Sequence, residues 1–317
     1  MWSFVSFDEA GVSIRTFLDV STRLCYTRNN MNGMKRQYEL YMATLNQEGS
    51  NKASSYVRAL ELLGPILAAH APHFAHCEDL YAIASPKYIE QLYAFILEQQ
   101  SLGDKGIFSS TFKPSYWRSG FYSAALRSYR QFLVVQRHED TLWAIYSEPG
   151  LDPKELGRRL LCQPIDAKAL VCDDNLDFTT REGKEVLRQV KTRMNQAFFR
   201  KMILRNYGSR CCLTGLPVPE VLRASHIVGW AEDKENRMNP ANGLCLSATY
   251  DAAFDRHLIT FDDDLRLVLS PSLKNHYTDD SFKKYFIALE GQRLLSPNRF
   301  LPERTLLEQH RNSLSLS

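Results

Sequence analysis

The chain has no CxxC pair, no apolar run approaching the roughly 18 residues of a membrane-spanning helix, no internal repeat and little net charge. Its seven cysteines stand at 25, 77, 162, 172, 211, 212 and 245. Without ligand-like pairing they argue against a zinc ribbon or a redox motif, and they read as reduced thiols of a reducing compartment. The segment MWSFVSFDEAGVSIRTFLDV lacks a basic stretch followed by an apolar core, so neither export nor membrane insertion is expected and the cytoplasm is the expected compartment. A formal charge of +3 and a pI near 8.4 are too mild to announce a nucleic-acid partner, so any such argument must rest on local patterning. Hydrophobic residues at 44% and charged residues at 24% leave an ordinary folded protein as the default, with 317 residues enough for two domains.

What is present first is helix. Apolar residues recur at three-to-four spacing in MKRQYELYMATL, SSYVRALELLGPILAAH, SPKYIEQLYAFILEQQ and YWRSGFYSAALRSYRQFLVVQ, which predicts a bundle of four or five helices over residues 1–138. Ser85 followed by Pro86 predicts a helix start, and Asn51 to Ser55 offer capping side chains for another. In this half Lys113, Arg118, Arg127 and Arg130 alternate with Tyr116, Trp117, Tyr122 and Tyr129. That pattern fits either a phosphate-and-stacking surface or a helical core, so the domain is expected to bind DNA or to regulate. His70, His73 and His76 cluster around Pro72 without nearby carboxylates other than Glu78, and they read as the end of a helix.

Residues 139–180 carry turn residues, prolines and acidic groups and suit a linker or a small intermediate element. From Arg181 a long helix is predicted, closed by Gly208. It holds the densest basic stretch of the chain, including Arg188, Arg193, Arg200 and Lys201. This is either a solvated face or a row of phosphate contacts.

The informative segment is residues 211–270, CCLTGLPVPEVLRASHIVGWAEDKENRMNPANGLCLSATYDAAFDRHLITFDDDLRLVLS. It resembles the HNH nucleases, whose ββα-metal core clasps one divalent cation. The resemblance implies that VLRASHI is a strand ending in the first histidine, His226. It implies further that NPANGLCLS holds the middle asparagine, Asn242, and that ATYDAAFDRH is the metal-binding helix with Asp251 at the third position.

Phosphodiester hydrolysis needs a deprotonated water and a charge sink. Histidine is the side chain best poised to take a proton at neutral pH, so His226 is the expected general base. Asp251 and Asp255, at i and i+4 of a helix, could meet one cation, and oxygen ligands suit Mg2+, with Mn2+ next. Asn242, before Gly243, reads as a loop brace or as a plain Asn-Gly turn. Where many HNH enzymes carry a metal ligand just before the base, this chain has Ser225. Arg237 could touch a phosphate or pair with Glu235, Trp230 suits packing behind His226, and His257 reads as a surface or capping residue. Cys212 and Cys245 suit small core positions.

The expected architecture is therefore α+β, mostly helical, with a helical bundle at 1–138, an intermediate element at 139–180 and a ββα-metal domain at 181–317. The expected activity is metal-dependent cleavage of DNA, most naturally double-stranded, with a single site nicking as a monomer. The resemblance further implies a setting in restriction or anti-phage defence, as in Zorya-like systems, with partner proteins of such a system. An inactive DNA-binding HNH fold and an RNase or toxin-like effector are the alternatives.

Overall fold

The computed structural model describes residues 30–45, 50–108, 114–171 and 176–314. The N-terminal segment read for an export signal, together with Cys25, Cys172 and Lys113, lies outside the described residues. The chain divides into two compact units, Met1–Arg137 and His138–Ser317, and its regular structure is mostly helical with two small sheets.

The first unit contains helices α1 (Asn30–Leu45), α2 (Lys52–His70), α3 (Pro86–Ser101) and α4 (Pro114–Arg118), and most of α5 (Phe121–Ser147). The Ser85 hydroxyl accepts from Tyr88 N and Pro86 takes the first helical position of α3, which satisfies an otherwise orphaned donor. Asn51 precedes α2 without such a bond. The aromatic residues at helical spacing turn inward: Tyr38, Tyr122 and Tyr129 are buried, with Tyr38 and Tyr129 edge to face at 5.3 Å. Burial of Trp117, Tyr122 and Tyr129 removes them from any stacking surface. Of the alternating cations, Arg118 pairs with Asp104, Arg130 pairs with Glu90 and Arg127 donates to the Tyr93 hydroxyl. In the histidine cluster, His70 ends α2 and His76 Nε2 meets the Tyr88 hydroxyl at 2.7 Å.

The second unit is built on helix α7 (Arg181–Asn206), capped by Thr180, whose hydroxyl accepts from Gly183 N. Asn195, Phe198, Phe199, Met202, Ile203 and Asn206 are buried, a stripe with the period of one helix face. The stripe occupies only the second half of the helix, while Arg181, Lys184, Arg188, Lys191 and Arg193 of the first half are exposed. The 139–180 segment carries the end of α5 and helix α6 (Pro153–Leu161); Leu142, Ile145, Tyr146, Leu156 and Leu160 from it join the apolar core of this unit.

Against α7 lies a hairpin of β1 (Leu222–His226) and β2 (Gly243–Ser247), antiparallel with His226 opposite Gly243. Helix α8 (Ala248–Asp255) follows at once. Gly243 is required by this packing, because a β-carbon there would come within 2.4 Å of Ile203 Cδ1 and 2.8 Å of Phe199 Cζ. A second hairpin, β3 (Ile259–Phe261) with β4 (Leu267–Leu269), and helices α9 (Asp280–Tyr285) and α10 (Arg304–Leu314) complete the unit. The segment before α10 is tied to the end of α7 through Asn206. Its Nδ2 donates to Phe300 O at 2.9 Å, and its Oδ1 accepts from Arg299 N and Phe300 N at 3.1 Å each. Cys211, Cys212 and Cys245 are fully buried free thiols.

Candidate active site

The β1–β2–α8 arrangement opens on a cavity of about 360 Å³ lined by Ser225, His226, Trp230, Glu232, Asp251, Asp255, His257 and His310, among others. His226 ends β1, and its ring lies flat on Phe199 of α7, with centroids 3.9 Å apart and planes 13° apart, while Trp230 meets it edge on at 5.5 Å. Its Nε2 is 3.1 Å from Arg237 O. A carbonyl oxygen only accepts, so this contact places a hydrogen on Nε2 and leaves the lone pair of the neutral ring on Nδ1. Burial between the two aromatic rings lowers the histidine pKa below its usual 6.5, partly offset by the bond to Arg237 O. The imidazole is thereby kept neutral and able to accept a proton at neutral pH.

Asn242 closes the loop between the strands from behind. It is fully buried; its Oδ1 accepts from Val228 N at 2.9 Å, and its Nδ2 donates to Val228 O and to Asn236 O, each at 3.1 Å. Its own carbonyl accepts from Ile227 N, the residue after His226. These bonds fasten both ends of the 228–236 segment, and Asn242 does not line the cavity. Residues 240–242 form a 3-10 turn that leads directly into β2, so no Asn-Gly hairpin turn forms there.

Asp251 and Asp255 lie one turn apart on α8 and both line the cavity. Ser225, which is buried, donates its hydroxyl to Asp251 Oδ1 at 2.5 Å and so orients that carboxylate across the hairpin. The Asp255 carboxyl is raised above the ordinary aspartate value, first by burial and then by the charge of Asp251. The two carboxylates thus face the same cavity closely enough for the charge of one to be felt by the other. Among the described residues no group of three or more His, Cys, Asp or Glu side chains is arranged to hold a metal. Asp251 and Asp255 are the residues that could hold such an ion, since hard oxygen ligands suit a divalent cation completed by water.

The basic residues divide. Arg193 is exposed and makes no ion pair among the described residues. Arg188 is exposed but doubly bonded to Glu185 at 2.8 and 2.6 Å, and Lys201 is bonded to Glu139 at 2.5 and 2.7 Å. Arg200 is turned onto the hairpin, donating to Leu222 O at 2.6 Å and Pro219 O at 2.9 Å, which makes it a strut of β1 rather than a free phosphate contact. Arg237 neither pairs with Glu235 nor lines the cavity; its Nε donates to Trp230 O at 2.7 Å and its guanidinium covers the Trp230 ring.

A strand ending in a base-competent imidazole, a buried asparagine that fastens the loop and a helix bearing paired carboxylates occur here in one order and in one fold. Residues 211–262 match the family model of the HNH endonucleases. The second unit thus carries an HNH domain, whose matched segment spans β1, β2, α8 and β3. No curated protein matches the chain. The HNH endonucleases are DNA-cleaving enzymes that generally use a divalent metal, and among the described residues no helix is long and apolar enough to cross a membrane.

Two contributors to the cavity lie outside the motif residues. His310 reaches it from α10, with Nδ1 3.0 Å from Thr260 Oγ1, Nε2 3.1 Å from Phe254 O and its ring stacked on Phe254 at 3.8 Å. Burial, then the neighbouring His257, pushes its pKa down to about 4. No local pattern announces His310, 55 positions beyond the end of α8. Glu232 was likewise one acid among several in WAEDKEN.

Proposed function

We propose that this protein is an HNH endonuclease that hydrolyses DNA phosphodiester bonds with Mg2+, or Mn2+ in its place, held by Asp251 and Asp255. The observation that carries this reading is the bond from His226 Nε2–H to Arg237 O. It leaves Nδ1 of a neutral imidazole as the proton acceptor in a cavity that also presents both carboxylates. His226 accepts the proton of the attacking water, a contribution of about 10²–10⁴-fold to rate. When bound, the divalent cation supplies charge neutralisation at a phosphate oxygen and at the leaving 3′ oxygen. Asn242 holds the loop whose Arg237 carbonyl orients the base, and Ser225 orients the Asp251 carboxylate.

Ser225 thus takes the place of a ligand with a hydrogen bond, which favours an active site over a decayed one. Arg193 and the exposed first half of α7 supply phosphate contacts that position the duplex. Arg188 and Lys201 join them only by exchanging their carboxylate partners for phosphate. One such site cuts one strand, so the monomer nicks double-stranded DNA. We assign the setting to restriction or anti-phage defence, with the helical unit as the recognition or regulatory part and further defence proteins as partners.

The test is a supercoiled-plasmid assay with Mg2+ or Mn2+, run beside an RNA substrate. The expected result is nicked circles from the wild-type protein and none from His226→Ala, which still binds DNA. Equal silence of both proteins on every substrate and metal, with DNA binding retained, would make this an HNH-fold binding protein; cleavage of RNA alone would make it an RNase.

A further inference from the structure

One wall of the cavity is built at a cost that the roles above do not explain. His257 lies just past the cap of α8 with φ +52°. Leu258 N donates to Ala253 O and His257 N to Phe254 O, each at 2.9 Å, the paired bonds of a Schellman closure. The same closure ends α7, where Ser209 N donates to Leu204 O at 2.7 Å and Gly208 N to Arg205 O at 3.2 Å. There the left-handed position is filled by Gly208, at φ +59°. Glycine adopts that conformation freely, whereas a residue with a β-carbon is strained in it. The two caps share the same paired bonds, and at the first left-handed position, where α7 places glycine, the cap on the cavity wall carries an imidazole.

The ring is also placed with care. It sits 4.5 Å from the His310 ring, both nitrogens of which are engaged, so His310 serves as a fixed backing. His257 Nδ1 is buried without a hydrogen-bond partner, whereas Nε2 is not among the buried orphans. An orphaned buried N–H is rarer and costlier than an orphaned lone pair. The hydrogen-bonding pattern therefore assigns the ring hydrogen to Nε2, on a residue that lines the cavity beside Asp255.

We propose that His257 is a substrate-contacting residue, its Nε2–H donating to a phosphate oxygen of the strand in the cavity while His310 of α10 holds the ring. The proposal rests on the nuclease reading and extends it to a helix beyond the matched segment, which ends at residue 262.

The test is His257→Gly, which adopts the backbone of Gly208 and should keep or raise the melting temperature. With Mg2+ and plasmid, kcat/KM should fall about 10- to 100-fold, the loss expected for one hydrogen bond to a charged oxygen. In a His226→Ala background, the Kd for a short DNA duplex should rise about tenfold. His257→Asn, which tolerates the left-handed backbone and carries an N–H donor, should recover part of the activity. Unchanged cleavage and affinity would reduce His257 to a helix cap and overturn the proposal, as would a fall in melting temperature that accompanies the loss. A wild-type protein that cuts neither DNA nor RNA would remove the nuclease reading. The duplex affinities would then decide the contact alone, equal values overturning it.

Discussion

Replacing Asn242 by alanine tests how much of the site depends on one buried amide. The substitution strips the acceptor from Val228 N and the donor from Val228 O and Asn236 O, all beneath a residue with no exposed surface. A buried donor left without a partner costs about 1–3 kcal/mol, and each buried carbonyl left bare adds to this. The expected loss is about 3–5 kcal/mol, among the largest for a single substitution. For a unit of this size about 2–4 °C in melting temperature accompanies each kcal/mol, so the second unit should melt roughly 6–20 °C lower. Chemical denaturation gives the free energy, and hydrogen exchange should locate faster opening at Val228 and Ile227, next to His226. Asn242→Asp should do no better, because a carboxylate oxygen would face the two carbonyls now served by Nδ2. A loss below about 1 kcal/mol, or unchanged protection at Val228, would refute the claim that this side chain fastens the loop.

Three further outcomes are expected. Ser225→Ala removes the 2.5 Å bond to Asp251 and should weaken Mn2+ binding about 10- to 100-fold in a metal titration with the fold intact; unchanged affinity would deny Ser225 its orienting part. Arg193→Ala should weaken duplex binding and lower the salt slope by about 1, whereas Arg200→Ala should cost stability instead, because that guanidinium serves Leu222 O and Pro219 O. A reversed pattern in binding and denaturation curves would mean that the helix meets DNA with its other end. His310 has a folded pKa near 4 against an ordinary 6.5. Between these values the unfolded chain holds the extra proton, so stability is full above about pH 6.5 and is lost as pH falls toward 4. Urea unfolding should show the advantage of wild type over His310→Gln shrinking by about 3 kcal/mol between pH 7 and pH 4; a constant gap would contradict a buried neutral ring.

Helix boundaries were legible because their signals are local, and the ββα core was legible through its resemblance to the HNH nucleases. Ser85 and Pro86 started a helix where they stood and Gly208 ended one, while the resemblance carried by His226, Asn242 and Asp251 implied the two strands and the helix that are found. Less legible was what each cation touches. Arg188, Arg200 and Lys201 share one basic helix in the sequence, yet two are engaged by carboxylates and one by backbone carbonyls, partners set by tertiary packing. The aromatic residues near Tyr122 fitted both a surface and a core, and burial resolved them inward. His310 carried no sign at all, since its place depends on how α10 folds back onto Phe254. His257 was visible as a residue past a helix end, but only its place on the cavity wall, at a cap position that α7 fills with Gly208, sets it apart.

The tether between Asn206 and residues 298–300 bears on how such an HNH domain can travel between proteins. Excision at the borders of the recognisable motif would discard α10 with its histidine, unfasten that tether and strip Leu142, Ile145, Leu156 and Leu160 from the core they help to form. A graft meant to move the HNH domain to another protein must carry the whole span from the end of α5 through α10. A shorter insert would transplant the signature and leave its scaffold behind.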